Sequence, residues 1–487
     1  MPGRPGERIY GIETEFGCLV DENLARPEQA VDLIKDYVFY DLKLGAIDLH
    51  ARDEVFEPAE SGGFLMNGAR LYIDAVGSHL EYATAECKTL KNIVANDRAG
   101  QRIIVRAVRE LGLTDDVNIY NNSVDHFGGH TFGCHENYLV HMGEDFFTYE
   151  VPKLYAFLAT RQIFAGVGRV GGHILAAGGR PDYDEMMANP VDYIWVSQVY
   201  NVYGDDSVPF QLSQRADHII RTVASRVRFN RAMINPKWEH FYAHEGQHRL
   251  HVLFGESNQM EFAYALKVGT TSLVLRLLED GLIPERWQLA EPLIALREVS
   301  RDQSFKWPVT LAEGTVIGAV DLQREVLAAA QRYKGDTPDI DWTLQAWEET
   351  LDTLETDPLS LYDRLDWVAK RRMVEMYREE EDLPWTADAL HSVDLEYHNI
   401  DPEKSLFYAL PEGSERRLFV DPLDIVDAMT DAPQDTRAYG RSQMVKKVLA
   451  RKMKGGYHFD WSGVALGRES YYEMPDPFDT YAGLAEN

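Results

Sequence analysis

The chain has 487 residues, 45% hydrophobic and 26% charged, a composition ordinary for a soluble globular protein and a length that supports a large core and more than one domain. With 49 Lys and Arg against 79 Asp and Glu, its formal charge of −30 repels nucleic-acid backbones and excludes phosphate-backbone binding as a main task. There is no apolar run of the roughly 18 residues that a membrane helix needs, so no membrane span is expected. The opening Met1–Arg8 has no apolar signal core behind it. Cys18, Cys87 and Cys134 lie far apart without C-x-x-C spacing. This predicts a reducing, cytoplasmic setting and no disulfide frame or Cys-based zinc site.

Residues 8–20 alternate as a strand, with Glu13 and Glu15 on one face and Ile12, Thr14 and Phe16 on the other. Carboxylates two residues apart on a strand are about 7 Å from each other. At an effective dielectric of ~20 they repel by roughly 2 kcal/mol, which a divalent cation would reverse. An amphipathic helix follows over 28–42, and residues 45–63 read as a loop. The stretch from Gly68 to Cys87 then places Arg70, Tyr72 and Asp74 opposite Leu71 and Ile73, and after a short loop brings Glu81 and Thr84 on a second extended piece. A helix is predicted over 89–111, strands over 117–125 and 132–141, and a helix over 151–165. The second of those strands carries the polar string His135-Glu-Asn-Tyr138.

Two motif matches fail on context. Gly166-Val-Gly168-Arg-Val-Gly171 has the G-x-G-x-x-G spacing but follows a helical stretch, where a dinucleotide site needs a strand-to-helix turn. It reads as a flexible loop. His244-Glu245-Gly-Gln-His248 matches the H-E-x-x-H zinc motif, which would make the chain a metallopeptidase. Gly246 inside the motif and the strand pattern from Leu250 argue against the helix that it requires. Arg249 and His251 alternate with Leu250 and Val252 on another strand. Helices follow over 259–280, 321–333, 343–355 and 361–378. After about residue 405 the elements shorten. Lys446, Lys447, Arg451, Lys452 and Lys454 form the one basic segment, which is a solvated helix face or a contact for phosphates or an acidic partner. Trp461 falls in a His-Phe-Asp-Trp strand.

Several strands thus present Glu, Tyr, Asp, Arg and His on one side, with helices between and after them. This predicts an α+β fold with a sheet face as its active surface. Such a face suits a magnesium nucleotide, because phosphoryl transfer needs mainly positioning and charge neutralisation.

Gly11-Ile-Glu-Thr-Glu-Phe-Gly17, Asn67-Gly-Ala-Arg-Leu-Tyr-Ile-Asp74, Glu81-Tyr-Ala-Thr-Ala-Glu-Cys87, Gly133-Cys-His-Glu-Asn-Tyr-Leu139, Gln211-Leu-Ser-Gln-Arg215 and Arg249-Leu-His-Val252 resemble the signature of the Pup ligase/depupylase family. Lys267-Val-Gly-Thr270, Leu365-Asp-Trp367 and Asp435-Thr-Arg-Ala438 extend the match nearly end to end. The resemblance implies a large N-terminal domain (1–405) whose open antiparallel sheet cradles ATP against helices, related to glutamine synthetase-type carboxylate–amine ligases. A small C-terminal domain (406–487) would contribute to nucleotide and modifier binding. The implied activity is ATP-dependent activation of the C-terminal γ-carboxylate of a small disordered Pup-like modifier, followed by isopeptide-bond formation with substrate lysines. By the same resemblance Asp74 is the base, Glu13, Tyr72 and Glu81 are magnesium positions, and Arg70, Thr84 and Trp461 contact ATP. Glu15, His135 and Arg249 face the same way in the strand reading.

Gly-Ile-Glu-Thr-Glu-Phe-Gly and Ala-Thr-Ala-Glu-Cys resemble the ligase branch, while the 45–63 segment is intermediate in length between the two branches. Three departures stand out: an added residue at Ala75-Val76, Leu80 in place of a usual Pro, and Asn235-Pro-Lys-Trp-Glu-His240, where Lys237 can supply a charge but not an arginine fork. The alternatives are a depupylase, the zinc metallopeptidase, and a modifier-binding protein without catalysis.

Overall fold

The structure, a computed structural model, describes residues 7–21, 26–47, 61–74, 79–126, 129–141, 143, 146–177, 200–224, 231–236, 246–453, 455–467 and 470–486. Its frame is a wide sheet built around β1 (Tyr10–Val20). The partners of β1 are β5 (Leu80–Ala83), β7 (Cys134–His141) and, along its far half, β6 (Val117–Tyr120). On one side β5 leads to β4 (Arg70–Ile73), β3 (Gly62–Leu65) and β2 (Gly45–Ile47). On the other, β7 leads to β12 (Gln247–Val252), β11 (Ala232–Asn235) and β10 (Arg221–Val223). Every pairing is antiparallel except that of β10 with β11 at the edge.

Alternation decides which face of the sheet is filled. Ile12, Thr14, Phe16, Leu71, Tyr82, Tyr138, Leu250 and Val252 point to the buried side. The 261–279 helix packs there with the strands around β7 and β12, and the 90–110 helix covers β4, β5 and Phe16. Both helices were expected, the 90–110 helix from its apolar spacing, and it starts on Thr89, whose side chain accepts from the Asn92 N–H. The alternation also sorts the polar string in β7. His135 keeps to the open face, whereas Glu136 is fully buried on the helix side, where Arg161 donates to it and to Thr271.

Two expectations change. The stretch 45–63 is not a loop throughout, because its ends form β2 and β3; residues 48–60 lie outside the described residues. Nor is the G-x-G-x-x-G stretch a flexible loop. The preceding helix ends at Ala165, Gly168 takes a positive φ of 76°, and β8 (Arg169–Ala177) begins, pairing with β9 (Tyr200–Gln211). The order is helix to strand, the reverse of a dinucleotide turn. Among the described residues no helix is long and apolar enough to cross a membrane.

A small hairpin of β13 (Pro308–Thr310) and β14 (Val316–Gly318) precedes the later helices. Near the end, β15 (Tyr457–Asp460), β16 (Gly463–Leu466) and β17 (Ser470–Glu473) form a separate meander. It packs with the 438–450 helix through Met444, Val445, Val448, Phe459, Val464 and Met474, and this cluster reaches Ala46 and Phe64 of β2 and β3. The 438–450 helix is therefore not simply a basic surface helix: it buries Met444, Val445 and Arg441, and leaves basic charge at its exposed end on Arg451 and Lys452.

One close packing yields a test. A Cβ on Gly100 would lie 2.4–2.5 Å from the Tyr82 ring. The Tyr82 hydroxyl accepts from Asn67 and donates to Asn96, so the ring cannot swing aside. Gly→Ala in a helix ordinarily gains about 0.5–1 kcal/mol, but overpacking costs about 1–3 kcal/mol. Gly100→Ala is expected to lower the denaturant midpoint at unchanged slope; a raised midpoint would refute the packing argument.

Candidate active site

The open face of the sheet is organised in cross-strand rows. Arg70, Ala83, Glu13 and His135 lie side by side across β4, β5, β1 and β7. Tyr72, Glu81 and Glu15 form the next row. Asp74 follows β4, and its N–H donates to the His79 carbonyl at 2.9 Å, just before β5. The predicted residues Glu13, Arg70, Tyr72, Asp74 and Glu81, with Glu15 and His135, are thus brought together.

Their electrostatics divide the acids into two kinds. Glu13 sits 3.3 Å from His135 Nδ1, 3.3 Å from His251 Nε2 and 3.5 Å from Arg249. Burial would raise its pKa, but His251, His135 and Arg249 beside it hold it well below the usual value. Glu15 accepts from the Gly133 N–H at 2.7 Å and lies 3.2 Å from His79 Nδ1. Burial opposes its ionisation, but His79 and His135 prevail and hold it at about 2. Glu81 behaves oppositely. Burial and then the charges of Asp74, Glu13 and Glu15 push its pKa well above the usual carboxyl range. Tyr72 is likewise pushed up, by burial and by Glu81, and the Arg70 guanidinium lies 4.2 Å from its ring centroid.

Two groups of side chains place their ligand atoms within 4.8 Å of one another: Glu13 with His135 and His251, and Glu15 with Asp74 and Glu81. An all-carboxylate group suits a hard cation such as magnesium, and two imidazoles with a carboxylate suit a borderline metal as well. Burial and three neighbouring carboxylates disfavour the charged form of Glu81, a cost that a bound cation would offset, so this donor set fits one.

Beside the rows a cleft is lined by Gly11, Glu13, Thr84, Arg249 and Trp461. Thr84 Oγ1 accepts from the Ile12 N–H at 3.0 Å, which pins the strand end at the cleft. Trp461 arrives from the C-terminal meander. It is not within a strand: it occupies the turn between β15 and β16, where Asp460 and Gly463 pair.

Some residues at this face were not singled out from the sequence. His79 packs on the Phe132 ring at 4.6 Å. Arg215 donates to the Phe132 carbonyl. Arg231 is pulled down to about 9, first by burial and then by the charge of Arg215, with Glu15 opposing. Arg231 Nη1 and Arg215 Nε are buried without a hydrogen-bond partner. Arg215 was visible within Gln211-Leu-Ser-Gln-Arg215, but no pattern places Arg231 beside it. The H-E-x-x-H string gains no support. His244 and Glu245 lie outside the described residues, Gly246 has a φ of 77°, and His248 is on β12, so its described part is not helical. Lys237 and Ala75-Val76 also lie outside the described residues.

An open antiparallel sheet, backed by helices and carrying carboxylates, imidazoles and arginines on its free side, defines an α+β protein that works from its sheet face. Its family is also defined: the chain belongs to the Pup-ligase protein family, whose model matches residues 8–465. It is 33% identical to the Pup–protein ligase of Kineococcus radiotolerans, over 97% of this chain and 96% of that one. It is 36% identical to the depupylase of Acidothermus cellulolyticus, over 96% and 93%. Among solved structures, the complex between prokaryotic ubiquitin-like protein Pup and its ligase PafA matches with a TM-score of 0.77 at 28% identity, covering 98% of this chain and 90% of that one. Pup ligase PafA in complex with ADP matches with a TM-score of 0.71 at 29% identity, covering 95% and 92%.

The raised pKa of Glu81 sets an expected outcome. Magnesium that binds through Glu81 has to displace the proton that this shift favours. Calorimetric titrations in two buffers of different ionisation enthalpy should show release of up to about one proton near neutral pH, lost in Glu81→Gln. Buffer-independent heats for the unsubstituted protein would contradict the assignment.

Proposed function

We propose that the protein is an ATP-dependent carboxylate–amine ligase that joins a Pup-like modifier to lysines of target proteins. The observation that carries this reading is the placement of Asp74 among Glu15, Glu81 and the arginine-rich end of the same face, in a chain of this family. Relatives named as Pup–protein ligases and the neighbours that hold Pup and ADP support it.

Glu13, Tyr72 and Glu81 would hold magnesium, and Glu15 and His135 stand close enough to complete its surroundings. Bound magnesium supplies charge neutralisation to the ATP phosphates. Arg70 would contact the phosphates, and Arg215 and Arg231, each with one buried nitrogen that lacks a partner among the described residues, suit the same anion. Thr84 and Trp461 line the cleft that would take the rest of the nucleotide.

The modifier's terminal γ-carboxylate attacks the γ-phosphorus of ATP, and the bond to the β-phosphate oxygen breaks to release ADP. A substrate lysine then attacks the activated carbonyl carbon, and phosphate leaves as the isopeptide bond forms. The lysine ammonium must first lose a proton, which Asp74 accepts. Glu81 is the poorer base here, since its carboxylate would be engaged by magnesium.

We propose the division into residues 1–405 and 406–487 on the same footing. The separate meander and its own apolar cluster support a C-terminal unit. Phe407, Val420 and Ile425 pack in the large core, which draws the seam toward Asp431. Cys18, Cys87 and Cys134 are free thiols, in keeping with a cytoplasmic setting.

The depupylase at 36% identity gives the second reading a specific basis. Incubation with ATP, magnesium, a Pup-like modifier and a target protein should yield an adduct heavier by one modifier. Cleavage of a preformed conjugate without adduct formation would assign the depupylase instead, and neither activity would overturn both. Asp74→Asn should lower the rate by at least about 100-fold with the thermal midpoint within a few degrees; a fully active variant would remove Asp74 from the role of base.

A further inference from the structure

The turn that carries Trp461 has a guanidinium beneath it. Arg441, on the 438–450 helix, is fully buried and does not line the cleft. Its Nη1 donates to the Trp461 carbonyl at 2.9 Å and to Glu86 Oε1 at 3.2 Å. Its Nε and Nη2 donate to the Gly68 carbonyl at 3.2 and 3.0 Å, and Nη2 also donates to Glu86 Oε2. The same guanidinium lies 4.8 Å from the Trp461 ring and 5.1 Å from the Phe64 ring. The two rings meet edge to face at 5.0 Å.

Three separate parts of the chain therefore converge on one side chain: the turn before β4, the end of β5 and the C-terminal meander. Gly68 is two residues before Arg70, and Glu86 is two after Thr84. Arg441 is the common reference for both flanks of the cleft and for the indole that lines it.

We infer that Arg441 is a positioning residue for the nucleotide: it sets the height and tilt of the Trp461 indole against the Thr84 wall and touches no substrate itself. The inference rests on the reading of Trp461 as a nucleotide contact. Fork geometry is essential to it, because a lysine ammonium can satisfy one or two of these acceptors but cannot also lie flat beneath an indole. Charge balance is not at stake, since Arg437 Nε donates to Glu86 at 2.7 Å independently of Arg441.

Arg441→Lys should raise the dissociation constant for ADP and the KM for ATP about tenfold (about 1.4 kcal/mol). The KM for the modifier and kcat at saturating ATP should stay within about threefold. Phe64→Leu, which removes the ring at the edge of the indole, should move the same constants in the same direction. A merely structural role would lower the thermal midpoint and the folded fraction while leaving the nucleotide constants of the folded protein unchanged, and that result would overturn the inference. If Arg441→Lys fails to fold, Phe64→Leu decides: an unchanged ADP constant there overturns it. An unsubstituted protein that binds no ADP would overturn the ligase reading and this inference together. Normal binding by the parent and by both variants would overturn the inference alone.

Discussion

Four carboxylates on one face of a sheet repel one another, and this repulsion governs the site. Glu13 and Glu15 are relieved by imidazoles and by Arg249, and Glu15 also by a backbone amide. Glu81 has a hydrogen bond with Tyr72, but burial and the charges of Asp74, Glu13 and Glu15 outweigh it and keep its pKa well above the usual carboxyl range. A fold that sought only stability would have replaced one of these acids. Keeping all four on a half-buried face makes sense where a cation and a phosphate chain are to be taken up together.

The opposite face of the same strands shows how such an assembly is held. Glu136, one residue from His135, is buried against Arg161, and its partner oxygens are fully engaged. Adjacent residues of one strand thus serve different ends: inward-pointing charges are paired, and outward-pointing ones are left in excess. The C-terminal unit follows the inward pattern, since Glu86 is matched by Arg437 and Arg441 and is held at about 2 by them against the opposing effect of burial.

Much of this was readable from the chain. Period-two alternation in β1, β4, β5 and β7 predicts which side chains share a face, and these are the strands that carry Glu13, Arg70, Tyr72, Glu81 and His135. The helix at 90–110 announced itself through apolar spacing, and a helix was expected over 259–280 as well. What stayed hidden has physical reasons. β2 and β3 are three and four residues long and fully buried, so no alternation marks them. Their glycines are required by close strand approach, since a Cβ on Gly62 would lie 2.2 Å from the Leu71 carbonyl, yet in the sequence they read as a loop. His79 and Arg231 reach the face from a turn and from the start of a strand, where no period exists. Trp461 was placed by resemblance alone, because the approach of the C-terminal hairpin to the cleft is a tertiary event.

The shared face also imposes an arithmetic of parity. Glu13, Glu15, Glu81, His135, Arg249 and His251 have odd numbers in their strands, and Arg70 and Tyr72 have even ones, fixed by the pairings of Tyr72 with Glu81 and of Glu13 with His135. Inserting or deleting one residue inside any of these strands would turn every functional side chain beyond it into the core. Length change is thereby confined to the connections between strands, such as the one between Asp74 and His79, which are themselves joined by a backbone hydrogen bond. Diversification of this scaffold should accordingly be punctuated: strands conserved in length to the residue, and turns free to drift.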